Sequence, residues 1–266
     1  MHLYHAIELV GTDLLGGSTR PWQVRALRSD GIIVEVVVKL YTSQQVEQYQ
    51  PIAKECYGYG LAEAFGLKVP DFGLIELGED FIATLSDADR MRLRDVAPGK
   101  KFAVEWVYNA SLVDMEHLSR SLFNEYEVPL VYAYDHLVWN GDRKFEKPNR
   151  LVNEHEFILI DHEMCFCVAG ERSLQRWEED GHWGYPSSRH LFYPMLKAKR
   201  REKKQEMFDE FEGYLRRFTP STVDRVTNFI ADHAVENSNF DLIRKQLCTL
   251  KANSSQFRAW LIQTLA

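Results

Sequence analysis

Asp142, Asn149 and Asp161 are three side chains of the types, and in the order, that phosphoryl transfer requires. That chemistry needs a carboxylate to orient or deprotonate an acceptor hydroxyl, and oxygen ligands to hold magnesium against the phosphates. Asp142 lies in Asn140-Gly141-Asp142-Arg143, Asn149 closes Lys147-Pro148-Asn149, and Asp161 ends the apolar run Glu156 to Ile160 ahead of His162 and Glu163. One loop and one short hairpin separate the three, so their side chains can converge. A polar Asn-Gly-Asp turn and a strand-ending aspartate are each common in any protein, so the ordered set carries the reading and no single member does.

Three upstream features fit the same chemistry. Gly16-Gly17-Ser18-Thr19 is a flexible connection whose amides and hydroxyls can face phosphate oxygens. Lys39 is the only cation in the apolar run Ile32 to Leu40, where a strand would fix an ammonium for phosphate charge. Glu55, on the helix expected next, can hold that lysine by an ion pair, with Glu63 and Glu47 as competitors. Taken singly, these are an ordinary turn, a strand-end lysine and a solvated glutamate.

Other chemistries find less support. Asp135 and Asn140 stand five residues apart, but Leu137, Val138 and Trp139 between them read as the buried end of a helix. His136, His155, His162, His182 and His190 are scattered without the spacing of a helical zinc site, and His162 and Glu163 read as exposed residues at a strand end. The chain contains no Gly-x-Ser-x-Gly elbow, and Gly11 to Ser18 lacks the ending of a P-loop.

The elements that must position these residues fall into two parts. Strands are expected at Leu3 to Val10, Trp22 to Leu27 and Ile32 to Leu40, the last two joined by the turn Ser29-Asp30-Gly31. A helix is expected over Ser43 to Phe65, stopped by Gly66 and Pro70, followed by apolar runs at Phe72 to Leu77 and Phe81 to Leu85 and a strand at Lys101 to Tyr108. Beyond Asn109 the pattern turns helical at Glu116 to Glu125 and Leu130 to Trp139, breaks at a hairpin within Asn149 to Cys167, and is helical again from about Ser187. Thr219-Pro220-Ser221 caps one late helix, with Val223, Val226, Phe229 and Ile230 as its buried stripe. The expected class is α+β: a small β-rich N-lobe, residues 1–108, carrying one main helix, and a larger, mostly helical C-lobe, residues 109–266.

Taken together, these residues resemble the HipA-like kinase family, in particular its compact stand-alone branch, and more remotely the phosphatidylinositol kinases. The resemblance runs through Gly16-Gly17-Ser18, Lys39, Glu55, Leu61-Ala62, Gly66 to Pro70, Asn140 to Arg143, Pro148-Asn149 and Leu159 to His162. It implies a bilobal, protein-kinase-like fold that uses ATP and Mg2+. Asp142 becomes the catalytic aspartate with Asn140 and Arg143 beside it, and Asn149 and Asp161 become the magnesium ligands. Lys39 and Glu55 orient ATP under the Gly16, Gly17 and Ser18 loop, with adenine near Glu105 and Val107. The implied acceptor is a serine or threonine of a protein, in a toxin–antitoxin setting or by autophosphorylation. In related kinases an asparagine usually lies five residues after the catalytic aspartate; here that position is Lys147, with Asn149 two residues on. The rival expectation is a pseudokinase, a regulatory module that binds nucleotide without transferring phosphate.

Bulk properties agree with a globular enzyme. The chain has 266 residues, 45% of them hydrophobic, enough for one substantial core or two lobes. Its net charge of -7 and a single dense basic run, Lys197 to Lys204, disfavour a nucleic-acid partner; the acidic stretch that follows, with Met207, Phe208, Phe211 and Leu215 between the charges, makes this a solvated helix face. Four irregularly spaced cysteines form no disulfide framework and are expected reduced, in the cytoplasm; neither a leader nor a membrane span is expected.

Overall fold

Trp22, Val24 and Ala26 are buried at every second position of one strand, and Val36 and Val38 of the next, so each strand turns one face inward. In the computed structural model, which describes residues 1–12, 14, 19–113, 127–153, 156–237 and 240–266, these strands belong to a closed five-stranded barrel. It comprises β1 (His2–Gly11), β2 (Trp22–Arg28), β3 (Ile33–Lys39), β4 (Phe72–Glu76) and β5 (Lys101–Glu105), in the order β1-β2-β3-β5-β4. Parallel pairing of β1 with β4 closes the sheet. Gly73 permits this approach: a Cβ there would lie 1.8 Å from the His2 carbonyl oxygen. Tyr4, Trp22, Val24, Val36, Val38, Ile75 and Ala103 fill the barrel.

The helices of this part correct several expectations. The helix expected over Ser43 to Phe65 is two, α1 (Ser43–Tyr49) and α2 (Pro51–Ala64), divided where Gln50 takes a left-handed conformation and Pro51 opens the second. The apolar run Phe81 to Leu85 is no strand: it lies in and just after α3 (Glu79–Thr84), with Glu79 and Asp80 in its first turn, and its Phe81 and Leu85 pack against the barrel core. Ser86 then caps α4 (Asp87–Leu93). The strand expected to reach Tyr108 stops at Glu105.

The chain divides into two compact units, one of residues 1–57, 70–108 and 226–237, the other of residues 58–69, 109–225 and 238–266. The second holds the sheet β6-β7-β8, of β6 (Ala110–Leu112), β7 (Arg150–Asn153) and β8 (Glu156–Leu159), and the helix α5 (Glu127–Leu137). The strand β6 was not expected after Asn109, nor was α6 (Val168–Asp180), which ends on a left-handed Gly181. The later helices are α7 (Tyr193–Lys197), α8 (Arg201–Glu206), α9 (Asp209–Arg217), α10 (Ser221–Asp232), α11 (Phe240–Ala252) and α12 (Ser254–Thr264). Phe65 stacks on Phe211 and Phe218, and Trp177, Trp183 and Phe257 meet edge to face, forming the aromatic core of this unit. Val223, Val226 and Ile230 are buried as expected, whereas Phe229 is half-buried.

The architecture is α+β, β-rich in its N-terminal part and helical in its C-terminal part. The helix expected at Glu116 to Glu125 and the residues Gly16, Gly17 and Ser18 lie outside the described residues. None of the four cysteines forms a disulfide, and among the described residues no helix is long and apolar enough to cross a membrane.

Candidate active site

The loop that carries Asp142 is built on the end of α5. Trp139 turns left-handed there, and neighbouring groups cap the last carbonyls: Asn140 N–H donates to the Asp135 carbonyl at 2.8 Å, Trp183 Nε1 to His136 at 2.9 Å and Gln246 Nε2 to Leu137 at 2.7 Å. Asn140 is wholly buried; its Nδ2 donates to Asp135 Oδ1 at 3.3 Å and its Oδ1 accepts the Asp142 N–H at 3.3 Å. Arg143 is also wholly buried. Its Nε donates to Asp135 Oδ2 at 2.7 Å, and its Nη1 donates to the carbonyls of Asn149 at 2.5 Å and Pro148 at 3.3 Å. Asn140 and Arg143 thus sit behind the loop and set its shape.

Asp135, set aside in the sequence as a helix-end residue, anchors this framework. Burial opposes its ionisation, but the Arg143 charge and the His190 hydrogen bond outweigh that and bring its pKa down to about 2. His190 Nδ1 accepts the Phe192 N–H at 3.1 Å, so the proton resides on Nε2, which donates to Asp135 Oδ2 at 2.9 Å. Nothing in the sequence pointed to His190, 55 residues from its partner.

Burial lowers the pKa of His190 and takes that of His136 well below its usual value. Both rings are neutral in the fold, whereas the unfolded chain takes up their protons near pH 6.5. The unfolded state binds more protons below that pH, so stability falls as pH drops through about 6.5 and continues falling toward the folded-state values, by up to about 1.4 kcal/mol per pH unit for each histidine. Urea unfolding at pH 7, 6 and 5 should show this decline, and His136→Gln should remove about half its slope.

Asn149 and Asp161 are brought together by strand register. Arg150 pairs with Leu159, and the Ile160 N–H donates to the Asn149 carbonyl at 3.1 Å, which places the two candidate ligands at one end of the β7-β8 hairpin. Both take left-handed backbone conformations, φ 49° for Asn149 and 64° for Asp161. Asparagine and aspartate accept that region more readily than other side chains, and such strain collects at functional sites. The Asp161 N–H donates to the Tyr59 hydroxyl at 3.4 Å. His162, expected to be exposed, is buried edge-on against Tyr59; a Cβ on Gly58 would lie 2.2 Å from its own Cβ, so only glycine admits this contact.

Asp142 and Asp161 share one cation. Lys147 Nζ lies 2.5 Å from Asp142 Oδ2 and 3.2 Å from Asp161 Oδ2, while Lys144 Nζ approaches Asp142 Oδ1 at 3.7 Å. Asn149 Nδ2 donates to Asp142 Oδ2 at 3.4 Å, leaving the side-chain Oδ1 of the same amide for another partner. Desolvation works against the half-buried Lys147 ammonium, but the two carboxylates prevail and its pKa is raised. Two carboxylates and an amide oxygen are the hard donors that magnesium takes, and the ammonium between them shows that the pocket accepts positive charge. The positive side chains two and five residues after Asp142 were the available signal for this bridge.

In the other unit, Lys39 is the last residue of β3, paired opposite Phe102, and its ammonium forms an ion pair with the wholly buried Glu55. Tyr41 donates its hydroxyl proton to the same glutamate oxygen at 3.2 Å. Glu105 is already engaged: Arg28 Nη1 and the Tyr4 hydroxyl donate to it at 2.9 and 3.1 Å. Val107 is half-buried, just after the Trp106 N–H that donates to the Glu35 carbonyl at 2.8 Å.

No curated protein matches the chain. Among solved structures it is similar to the Helicobacter pylori proinflammatory kinase CtkA, at 11% identity and a TM-score of 0.50, over 97% of this chain and 98% of that one. An apo pseudokinase structure aligns over 93% of this chain and 91% of its own, at 12% identity and a TM-score of 0.33. The likeness to CtkA is one of fold. The family model described as HipA-like kinase matches residues 10–251, most of the 266-residue chain, and the protein belongs to that family.

Proposed function

We propose that the protein is an ATP- and magnesium-dependent kinase with the bilobal organisation of protein kinases, residues 1–108 as N-lobe and 109–266 as C-lobe, which phosphorylates a serine or threonine of a protein. The observation that carries this reading is the gathering of Asp142 and Asp161 around one positive charge, with the Asn149 side-chain amide hydrogen-bonded to Asp142. Family membership supports the same chemistry.

The roles follow from the side chains. Asp142 accepts a hydrogen bond from the acceptor hydroxyl and takes its proton as that oxygen bonds to the γ-phosphorus; the bond from the γ-phosphorus to its bridging oxygen breaks, and ADP leaves with the electron pair. Asn149 and Asp161 would hold magnesium, which supplies charge neutralisation on the phosphates. Lys39, steadied by Glu55, binds phosphate oxygens, and the amides of Gly16, Gly17 and Ser18 contact the triphosphate. Because the Glu105 carboxylate is occupied by Arg28 and Tyr4, adenine recognition near Glu105 and Val107 falls to the backbone. Asn140 and Arg143 act as positioning residues, since their side chains face Asp135 and the loop's own backbone.

The Lys147 bridge favours one alternative, a pseudokinase that binds nucleotide without transfer. Incubation with γ-labelled ATP and magnesium, read for autophosphorylation and ATP hydrolysis beside a thermal shift, separates the two readings. Label transfer with stabilisation by ATP is the expected result. Stabilisation without transfer or hydrolysis leaves the nucleotide-binding module, and neither stabilisation nor transfer would sink both.

A further inference from the structure

The catalytic loop supplies its own cation. Both Lys147 contacts fall on Oδ2 atoms, one from Asp142 and one from Asp161, and a magnesium ion held by Asp161 beside Asp142 would need the ground that the ammonium now holds. The lysine is aimed there by a reciprocal backbone turn: Lys144 N–H donates to the Lys147 carbonyl at 3.1 Å, and Lys147 N–H to the Lys144 carbonyl at 3.2 Å. Lys144 adds a second positive charge beside Asp142. Two carboxylates facing two ammonium groups offer a divalent ion much less attraction than bare carboxylates would. The Lys147 side chain remains 40% exposed on a flexible stem, so it can swing into water and vacate the position.

We propose that Lys147 is a built-in counter-cation that competes with the divalent ion for the negative charge of Asp142 and Asp161, weakening metal binding and letting nucleotide bind with little need for metal. The nucleotide half rests on the ATP reading above; the metal half stands on the loop alone.

The test uses Mn2+ as a spectroscopic stand-in, titrated without nucleotide into wild-type protein, Lys147→Asn and Lys147→Met, with free Mn2+ read by electron paramagnetic resonance. Both variants should bind Mn2+ about tenfold tighter than wild type or better, and adding Asp161→Asn to Lys147→Asn should cancel the gain. Equal Mn2+ affinity in all three proteins would overturn the inference. A second measurement follows binding of a non-hydrolysable ATP analogue with Mg2+ and with a chelator. Wild type should lose little affinity on chelation, whereas Lys147→Met should lose about tenfold. Tighter Mn2+ binding by the variants, with no nucleotide bound by any protein, upholds the competition and refutes the ATP reading. Equal Mn2+ affinity with metal-dependent nucleotide binding in wild type does the reverse.

Discussion

Asp142→Ala is expected to lower phosphate transfer about a thousandfold while leaving ATP affinity close to that of wild type; Asp161→Ala is expected to lower transfer as well and to weaken the protein's hold on the divalent ion. The split follows from what each carboxylate touches. Asp142 follows the Asn140-Gly141 turn and is assigned the acceptor hydroxyl, so its loss removes proton acceptance and orientation, effects worth about 10²–10⁴-fold. Asp161 is assigned the cation, so its loss is felt wherever the phosphates must be neutralised.

Neither change should cost much stability. Both carboxylates face Lys147, whose side chain is 40% exposed, and an ion pair open to water on that side contributes about 0–1 kcal/mol. Equal melting temperatures would therefore accompany the kinetic losses. Transfer of labelled phosphate with magnesium, calorimetric titration with ATP, and titration with Mn2+ are the measurements. Wild-type turnover in both variants would remove the catalytic assignment.

Features governed by neighbouring residues were legible in the sequence. The Asn-Gly turn, the Pro-Asn step and the apolar run before Asp161 each depend on a few adjacent residues, and the β7-β8 hairpin then delivers Asn149 and Asp161 to the same end. Lys39 and Glu55 were legible because the only cation in an apolar strand needs a partner, and the next helix offered one. Some misreadings had local signals that were outweighed. Pro51 marks a helix start, Glu79 and Asp80 favour a helix N-terminus, and Gly181 favours a helix end, yet apolar continuity at Phe81 to Leu85 suggested a strand. Other features had no local signal. The pairing of β1 with β4 that closes the barrel, the hold of Arg28 on Glu105 and that of His190 on Asp135 join residues far apart in sequence, and only the folded chain sets them side by side.

The largest stability effect is expected behind the loop. Asp135 and Arg143 are both wholly inaccessible, and Arg143→Met would leave the Asp135 carboxylate with the neutral His190 and the Asn140 amide as partners. Removing one member of a buried ion pair typically costs about 3–5 kcal/mol, because the remaining charge stays desolvated. The same change strips a donor from the carbonyls of Pro148 and Asn149, which are next to a candidate metal ligand, so a folded remnant should also bind metal less well. Arg143→Lys should not restore either property: a single ammonium cannot span Asp135 and both carbonyls as the planar guanidinium does. Asp135→Asn should cost a similar amount: its amide oxygen can keep accepting from His190 or Arg143, but the buried guanidinium then loses its counter-charge. Urea unfolding at pH 7 ranks the variants. Arg143→Met lying within about 0.5 kcal/mol of wild type, the range of an ordinary surface change, would show that the pair is no keystone and that the loop is held from elsewhere.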